Sequence, residues 1–149
     1  MSGIEVAGLV LGAFPILLNC LDYYRKGFAP LGEWWSFRNS FVAFVDDIRH
    51  QMMRYNENMV RLLDPIVPDS KSLEALVRDP KDPRWGDRSL DDPLRHRLAS
   101  EYDRYFRIVG RMHEYMGSLE RLLQIEHGKV LRDNPHGSDV LRPELTTRL

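Results

Sequence analysis

From Trp34 to Ile66, apolar side chains recur in steps of three or four: Trp34, Phe37, Phe41, Phe44, Ile48, Met52, Tyr55, Met59, Leu62 and Ile66. A second run repeats the pattern through Leu94, Leu98, Tyr102, Tyr105, Val109, Met112, Met116, Leu119 and Leu123. This spacing follows the helical turn and lays one apolar stripe along each of two long helices. A strand would alternate every second residue, and no stretch does so convincingly. Striped helices must bury their stripes against one another, so the chain is constrained to an all-α bundle. The first long helix should begin after Ala29-Pro30-Leu31-Gly32 and run to about Leu63, ended by Pro65 and Pro68. The second should start near Ser89 as N-cap, with Asp91 and Asp92 in its first turn and Pro93 tolerated there, and stop at Gly128. Helices of roughly 33 and 38 residues reach about 50 and 57 Å and must lie antiparallel along each other.

A third helix precedes them. Ser2 followed by Glu5 is a capping box, and Arg25 and Lys26 before Gly27 form a stop signal, so this helix should span about Gly3 to Lys26. It should fill the groove between the long pair, with a kink at Pro15, which removes the bond to the Leu11 carbonyl. The proline-rich connection 64–93 has room for a short helix from Ser70 to Arg78, with Leu73, Leu76 and Val77 facing inward. Trp85 is the side chain expected to pin that connection to the core. The expected architecture is an elongated antiparallel bundle of about four helices, two of them long, over residues 1–131. Residues 132–149 lack periodicity and read as a tail or linker to a further C-terminal region.

The first helix contains GLVLGAFPILLNCL, residues Gly8 to Leu21, with no charge at all. A secretory signal is excluded by the missing basic n-region, since Glu5 is the only charge before the run. The uncharged stretch from Val6 to Leu21 falls short of the roughly 20 apolar residues of a permanent span. It is therefore read as a buried core helix in the resting protein.

The rest of the composition narrows function mainly by exclusion. With 21 basic and 22 acidic residues the net charge is −1, which argues against general nucleic-acid binding. The single cysteine, Cys20, makes a reducing, cytoplasmic compartment the default, and its apolar helical setting reads as core rather than nucleophile. His113-Glu114 opens like a zinc-protease motif, but Gly117 stands where the second histidine belongs. Asp47-Ile-Arg-His50 is half of a di-iron unit, with the wrong acid. No glycine-rich phosphate loop follows a strand. The expectation is a non-enzymatic protein without cofactor or metal.

Three weaker signals remain. Gly8 and Gly12 stand one turn apart, a spacing that lets helix backbones approach closely, in a membrane pair or in the bundle itself. Arg97, Arg104, Arg107 and Arg111 share part of one face and suit phospholipid or another acidic surface. They suit a solvated face equally, since Glu101 with Arg104 and Asp103 with Arg107 are ready intrahelical pairs. Trp34 and Trp35 cannot both enter one core, so one is expected to be exposed enough to anchor a partner or lipid.

The start Met1-Ser-Gly-Ile-Glu-Val-Ala-Gly-Leu-Val-Leu-Gly-Ala-Phe-Pro resembles the N-terminal helical domain of a large group of filamentous-fungal proteins, the HeLo and HeLo-like type. So do Trp34-Trp35, Leu62-Leu63-Asp64, and Arg78-Asp79-Pro80 followed by Trp85. The resemblance covers roughly residues 1 to 125. It extends to the bundles of mixed-lineage kinase domain-like protein and of plant resistance-protein coiled-coil domains. What it implies is regulated cell death or innate defence. A C-terminal regulatory region or partner triggers homo-oligomerisation, and the first helix is exposed and enters the plasma membrane. By position, Glu5, Gly8, Leu9, Gly12, Phe14 and Leu17 would then belong to the membrane or oligomer face, with anionic lipids as partners. Relatives of this type usually continue into a larger C-terminal domain.

Two readings follow. In the first, the bundle is autoinhibited and its first helix is released to oligomerise in a membrane. In the second, it is a protein-binding or homodimerisation module without membrane activity.

Overall fold

The computed structural model describes residues 1–133. Five α-helices follow one another: α1 (Gly3–Phe28), α2 (Trp34–Leu63), α3 (Ser70–Arg78), α4 (Arg88–Leu98) and α5 (Tyr102–Asp133). Short 3-10 turns at Pro83–Gly86 and Ala99–Glu101 complete the order, and no strand occurs among the described residues. The architecture is an all-α elongated bundle in which α2 and α5, with 30 and 32 residues, are the longest elements.

Helix α1 starts as its sequence dictates. The Ser2 hydroxyl accepts the Glu5 N–H and the Glu5 carboxylate accepts the Ser2 N–H, both at 3.3 Å. The helix is continuous through Pro15 and passes Gly27 to end at Phe28. The reason for that extra length is aromatic: Phe28 stacks on Tyr24 with ring centroids 4.5 Å apart and meets Phe37 edge-on. Helix α3 has the expected bounds, capped by the Asp69 side chain on the Ser72 N–H at 3.0 Å.

The last helix differs from expectation. The run read as one helix from Ser89 to Gly128 is broken at Ala99, where φ is 46°. Ala99 is the only non-glycine residue with positive φ among those described. The break re-aims the chain, so that Tyr102 returns to contact Asp91 on the preceding helix. Asp87, not Ser89, caps α4, its carboxylate accepting the Ser89 N–H at 2.9 Å. At the far end α5 continues through Gly128 to Asp133. A lone interior glycine costs a helix only about 1 kcal/mol and does not end it without a left-handed turn. The expected tail, 132–149, therefore starts inside α5, and from 134 onward it lies outside the described residues.

The packing order also differs. Helix α1 was expected in a groove between two long helices lying along each other. It stands instead as the element between them, packed mainly on α5 and secondarily on α2. The directions follow from the contacts. Gly3 faces Phe106 while Leu17 and Leu21 meet Leu123, so α1 and α5 are parallel. Tyr55 bonds to Ala7 while Phe41 stacks on Tyr24, so α2 is antiparallel to both.

Candidate functional site

The site of interest is α1 and what holds it. Ile4, Ala7, Val10, Leu11, Phe14, Leu17 and Leu21 are all buried, which makes α1 the largest contributor to the core. It is also long and apolar enough to cross a membrane, with 44% of its most apolar 18-residue window buried inside the bundle. At 1.5 Å per residue its 26 residues span about 39 Å, against about 30 Å for a hydrocarbon core.

The N-terminal end of α1 is held by a polar latch. The Tyr102 hydroxyl accepts the Gly3 N–H at 3.2 Å and donates to the Asp91 carboxylate. The other Asp91 oxygen accepts the Arg95 Nε–H at 2.9 Å, and the Ile4 N–H also reaches this carboxylate. The Arg95 guanidinium lies over the Tyr102 ring, 4.2 Å from its centroid. One buried carboxylate thus joins α4 and α5 to the free N–H groups of α1, where negative charge is favoured. Burial alone would raise the Asp91 carboxyl, but donation from Tyr102 and Arg95, the Arg95 charge and the Ile4 N–H hold it below the usual range. Burial and the Asp91 charge push the Tyr102 phenol up to about 12. An open recess of about 410 Å³ beside the latch, lined by Met1, Ser2, Gly86, Arg88, Asp91, Asp92 and Arg95, carries charges of both signs.

The middle of α1 is covered by the connection 79–87, which acts as a strap. A β-carbon placed on Gly8 would lie 2.8 Å from Trp85 Cγ, and one on Gly12 would lie 3.1 Å from Pro80 Cβ. The two glycines thus admit the strap rather than a second helix. Trp85 is buried, as expected, and its indole N–H donates to the Asp79 carbonyl at 3.0 Å. Arg84 braces the strap from outside, donating to both Asp82 oxygens and, at 2.7 Å, to the Ser72 hydroxyl.

The sequence-derived residues fall into separate groups. Phe14 and Leu17 are core, Gly8 is buried under the strap, Gly12 is half-buried, and Glu5 serves the capping box. Leu9 points outward at 41% exposure. Trp34 is buried among Phe37 and Phe41, whereas Trp35 is 72% exposed with Arg38 over its ring. Arg104, Arg107 and Arg111 are exposed on α5, but Arg97 belongs to α4, beyond the break, and is separated from that face. Glu101 and Arg104 pair at 3.8 Å, while Asp103 acts on Arg95. Cys20 is half-buried against Leu17, Leu21 and Leu123.

Sequence reasoning missed Asp91 and Tyr102 as partners, because the contact exists only through the break at Ala99. The coupling of Gly8 to Trp85 was visible only as two separate hints, a glycine pair and a loop tryptophan. Among the described residues no group of three or more His, Cys, Asp or Glu side chains converges on a common point. Comparison of the chain with protein-family models, with curated proteins and with solved structures finds no match.

Proposed function

We propose that this bundle is a membrane-active effector domain whose first helix is stored in the core and enters a bilayer when the bundle opens. The observation that carries the reading is the double character of α1, which is core helix and span-length helix at once. Six large α1 side chains are buried at roughly 1.5–3 kcal/mol each, and a hydrocarbon interior returns a comparable amount. Leu9 and Ile16, exposed in the bundle, gain burial only in lipid. The closed and inserted states can therefore lie within a range that a partner or a regulatory region biases. In keeping with the HeLo-like resemblance, the role is regulated cell death or defence. The domain rests in the cytoplasm, and homo-oligomerisation at the plasma membrane accompanies insertion.

The test is a reversible lock. Gly12→Cys with Pro80→Cys, in a Cys20→Ser background, brings two β-carbons near the spacing a disulfide needs. Dye release from anionic vesicles should occur with the reduced protein and stop in the oxidised one. Equal release in both states, or none in either, contradicts the reading.

A second reading has its own observation. Trp35, Val42, Met53 and Val60 form an exposed apolar line along α2, which suits a protein partner or a second copy. Light scattering separates the two. A dimer lost on Trp35→Ala, without lipid affinity, favours the binding module.

A further inference from the structure

The exposed apolar line of α2 is bordered by charges sorted by sign. At 100° per residue, Trp35, Val42, Met53 and Val60 fall within about 20° of one another around the helix. They are 72%, 44%, 58% and 38% exposed. About 30–50° to one side stand Asn39, Asp46, Glu57 and, at the C-cap, Asp64. About 30–50° to the other side stand Arg38, Arg49 and Asn56. His50 and Arg61 come next beyond the acidic edge, roughly 70° and 90° from the line. Half-buried Val45 and buried Leu63 close the basic side. Asp46 and Arg49 pair across the line at 3.5 Å, a solvated pair that costs little to exchange. On the α1 side, Asp22 and Arg25 border the line, already paired with each other at 2.8 Å.

Edges sorted by sign decide what can cover such a line. An anionic bilayer would meet Asp46, Glu57 and Asp64 on one whole edge. A partner helix fits only if it sets base against this acidic edge and acid against the basic one. A second copy of α2 does so when the two-fold axis runs along the helix and the copies lie parallel. Asp46 then comes within one turn of the partner's Arg49, and Arg49 within one turn of the partner's Asp46. Arg38 donates to the amide carbonyl of the partner's Asn39, and Glu57 accepts from the amide N–H of the partner's Asn56. Trp35, Val42, Met53 and Val60 each meet their own counterparts. An antiparallel pair brings like edges together. With its apolar lines matched, it would set Asp46 against the partner's Asp46 and Arg49 against the partner's Arg49.

We infer that the outer face of α2 is the interface of a parallel, two-fold symmetric dimer of closed bundles. Trp35 anchors one end of the contact and Met53 and Val60 the other, with reciprocal Asp46–Arg49 pairs between them fixing direction and register. The inference rests on the binding-module reading for its exposed line and names its occupant and orientation. It leaves α1 where it is, because the face belongs to α2 alone.

The test is sedimentation velocity of the full chain over a concentration series, followed by site-directed cross-linking. The wild type should pass reversibly from monomer to dimer. Asp46→Arg should weaken the dimer about tenfold or more, because it sets like charges at both edge pairs. Adding Arg49→Asp to the same chain should restore it. Trp35→Ala should weaken the dimer by a similar factor. All of these side chains are exposed, so thermal midpoints of the dilute, monomeric variants should stay at the wild-type value. In a Cys20→Ser background, Val42→Cys should oxidise to a cross-linked dimer with itself, and so should Met53→Cys. Each should do so faster than Ser40→Cys, which is exposed about 150° around the helix from the line. A chain that stays monomeric overturns the inference, as does a dimer indifferent to Asp46→Arg. A dimer that is lost on Trp35→Ala but cross-links only between Val42→Cys and Met53→Cys chains is antiparallel. That result overturns the inference and leaves the binding-module reading standing. A dimer indifferent to Trp35→Ala sinks both.

Discussion

The two ends of α1 are held in different ways. Around its N-terminal half the core is continuous, joining Ile4, Val10, Leu11 and Phe14 to Tyr55, Met59, Leu63, Leu76, Trp85, Leu94 and Phe106. Polar groups fix the same end, through the Asp91–Tyr102 latch and the bond from the Tyr55 hydroxyl to the Ala7 carbonyl at 3.0 Å. Around the C-terminal half the buried cluster is small, Leu17, Leu21 and Leu123, backed by half-covered residues such as Phe41, Val45, Ile48 and Met116. Aromatic rings from Tyr24, Phe28, Trp34, Phe37 and Phe41 stack there, and Asp22 pairs within α1 with Arg25 and Lys26. A groove of about 150 Å³ remains open between α1 and α2 at this level. Buried, cross-linked ends open with the whole fold, and sparsely covered ends open alone. Opening of the bundle should therefore begin at the C-terminal half of α1, with the latch and strap giving way last.

The largest expected effect contrasts the two cores directly. Leu94→Ala, at a fully buried site, should cost about 2–5 kcal/mol in denaturant unfolding, while Leu123→Ala should cost about half of that. Equal losses would break the comparison. Next come the glycines. Gly8→Ala puts a methyl 2.8 Å from the Trp85 ring and should destabilise by about 1–3 kcal/mol. Gly110→Ala meets nothing within 4 Å on a helix interior and should stabilise by about 0.5–1 kcal/mol.

The latch gives an effect of similar size with a pH signature. Tyr102→Phe orphans the Gly3 N–H and one Asp91 oxygen and should cost about 1–3 kcal/mol at neutral pH. Asp91 is held below its ordinary value, so its stabilisation is complete above the unfolded carboxylate value of about 3.9. It is lost as pH falls through the lower folded value. Asp91→Asn should remove that part of the acid limb, and an unchanged acid limb in a chemical-denaturation series would count against the latch. Smallest of all, Trp35→Ala should shift stability by no more than about 0.5 kcal/mol.

Much of the fold was legible because its determinants are local. The Ser2–Glu5 box, the bounds of α3 and the stripes of α2 and α5 each lie within one turn or one periodic run. The break at Ala99 was not legible, because alanine carries no side-chain mark of a positive φ. The four-residue step from Leu98 to Tyr102 also keeps the helical period across the gap. Asp91 read as a first-turn acid favouring the helix dipole, since its partner Tyr102 is brought to it only by that break. The glycine pair signalled close approach correctly, but spacing does not say whether a helix or a loop approaches, and here it is Trp85 and Pro80. The outward face of α5 was half visible: its arginines stand in the sequence, while the outward turn of Ile108, Tyr115 and Leu122 depends on which side of α5 meets α1.

The most direct test of α1 as a stored membrane helix is the depth of its own side chain in a bilayer. A fluorophore on Leu9→Cys in the Cys20→Ser background starts from an outward position that labelling leaves undisturbed. With anionic vesicles its emission should shift to the blue and be quenched by nitroxides at mid-bilayer depth. The same label in the oxidised Gly12→Cys/Pro80→Cys protein, attached after the lock is closed so that Cys at position 9 is the one free thiol, should stay open to aqueous iodide. A label that remains iodide-accessible on vesicle-bound, unlocked protein would contradict the account.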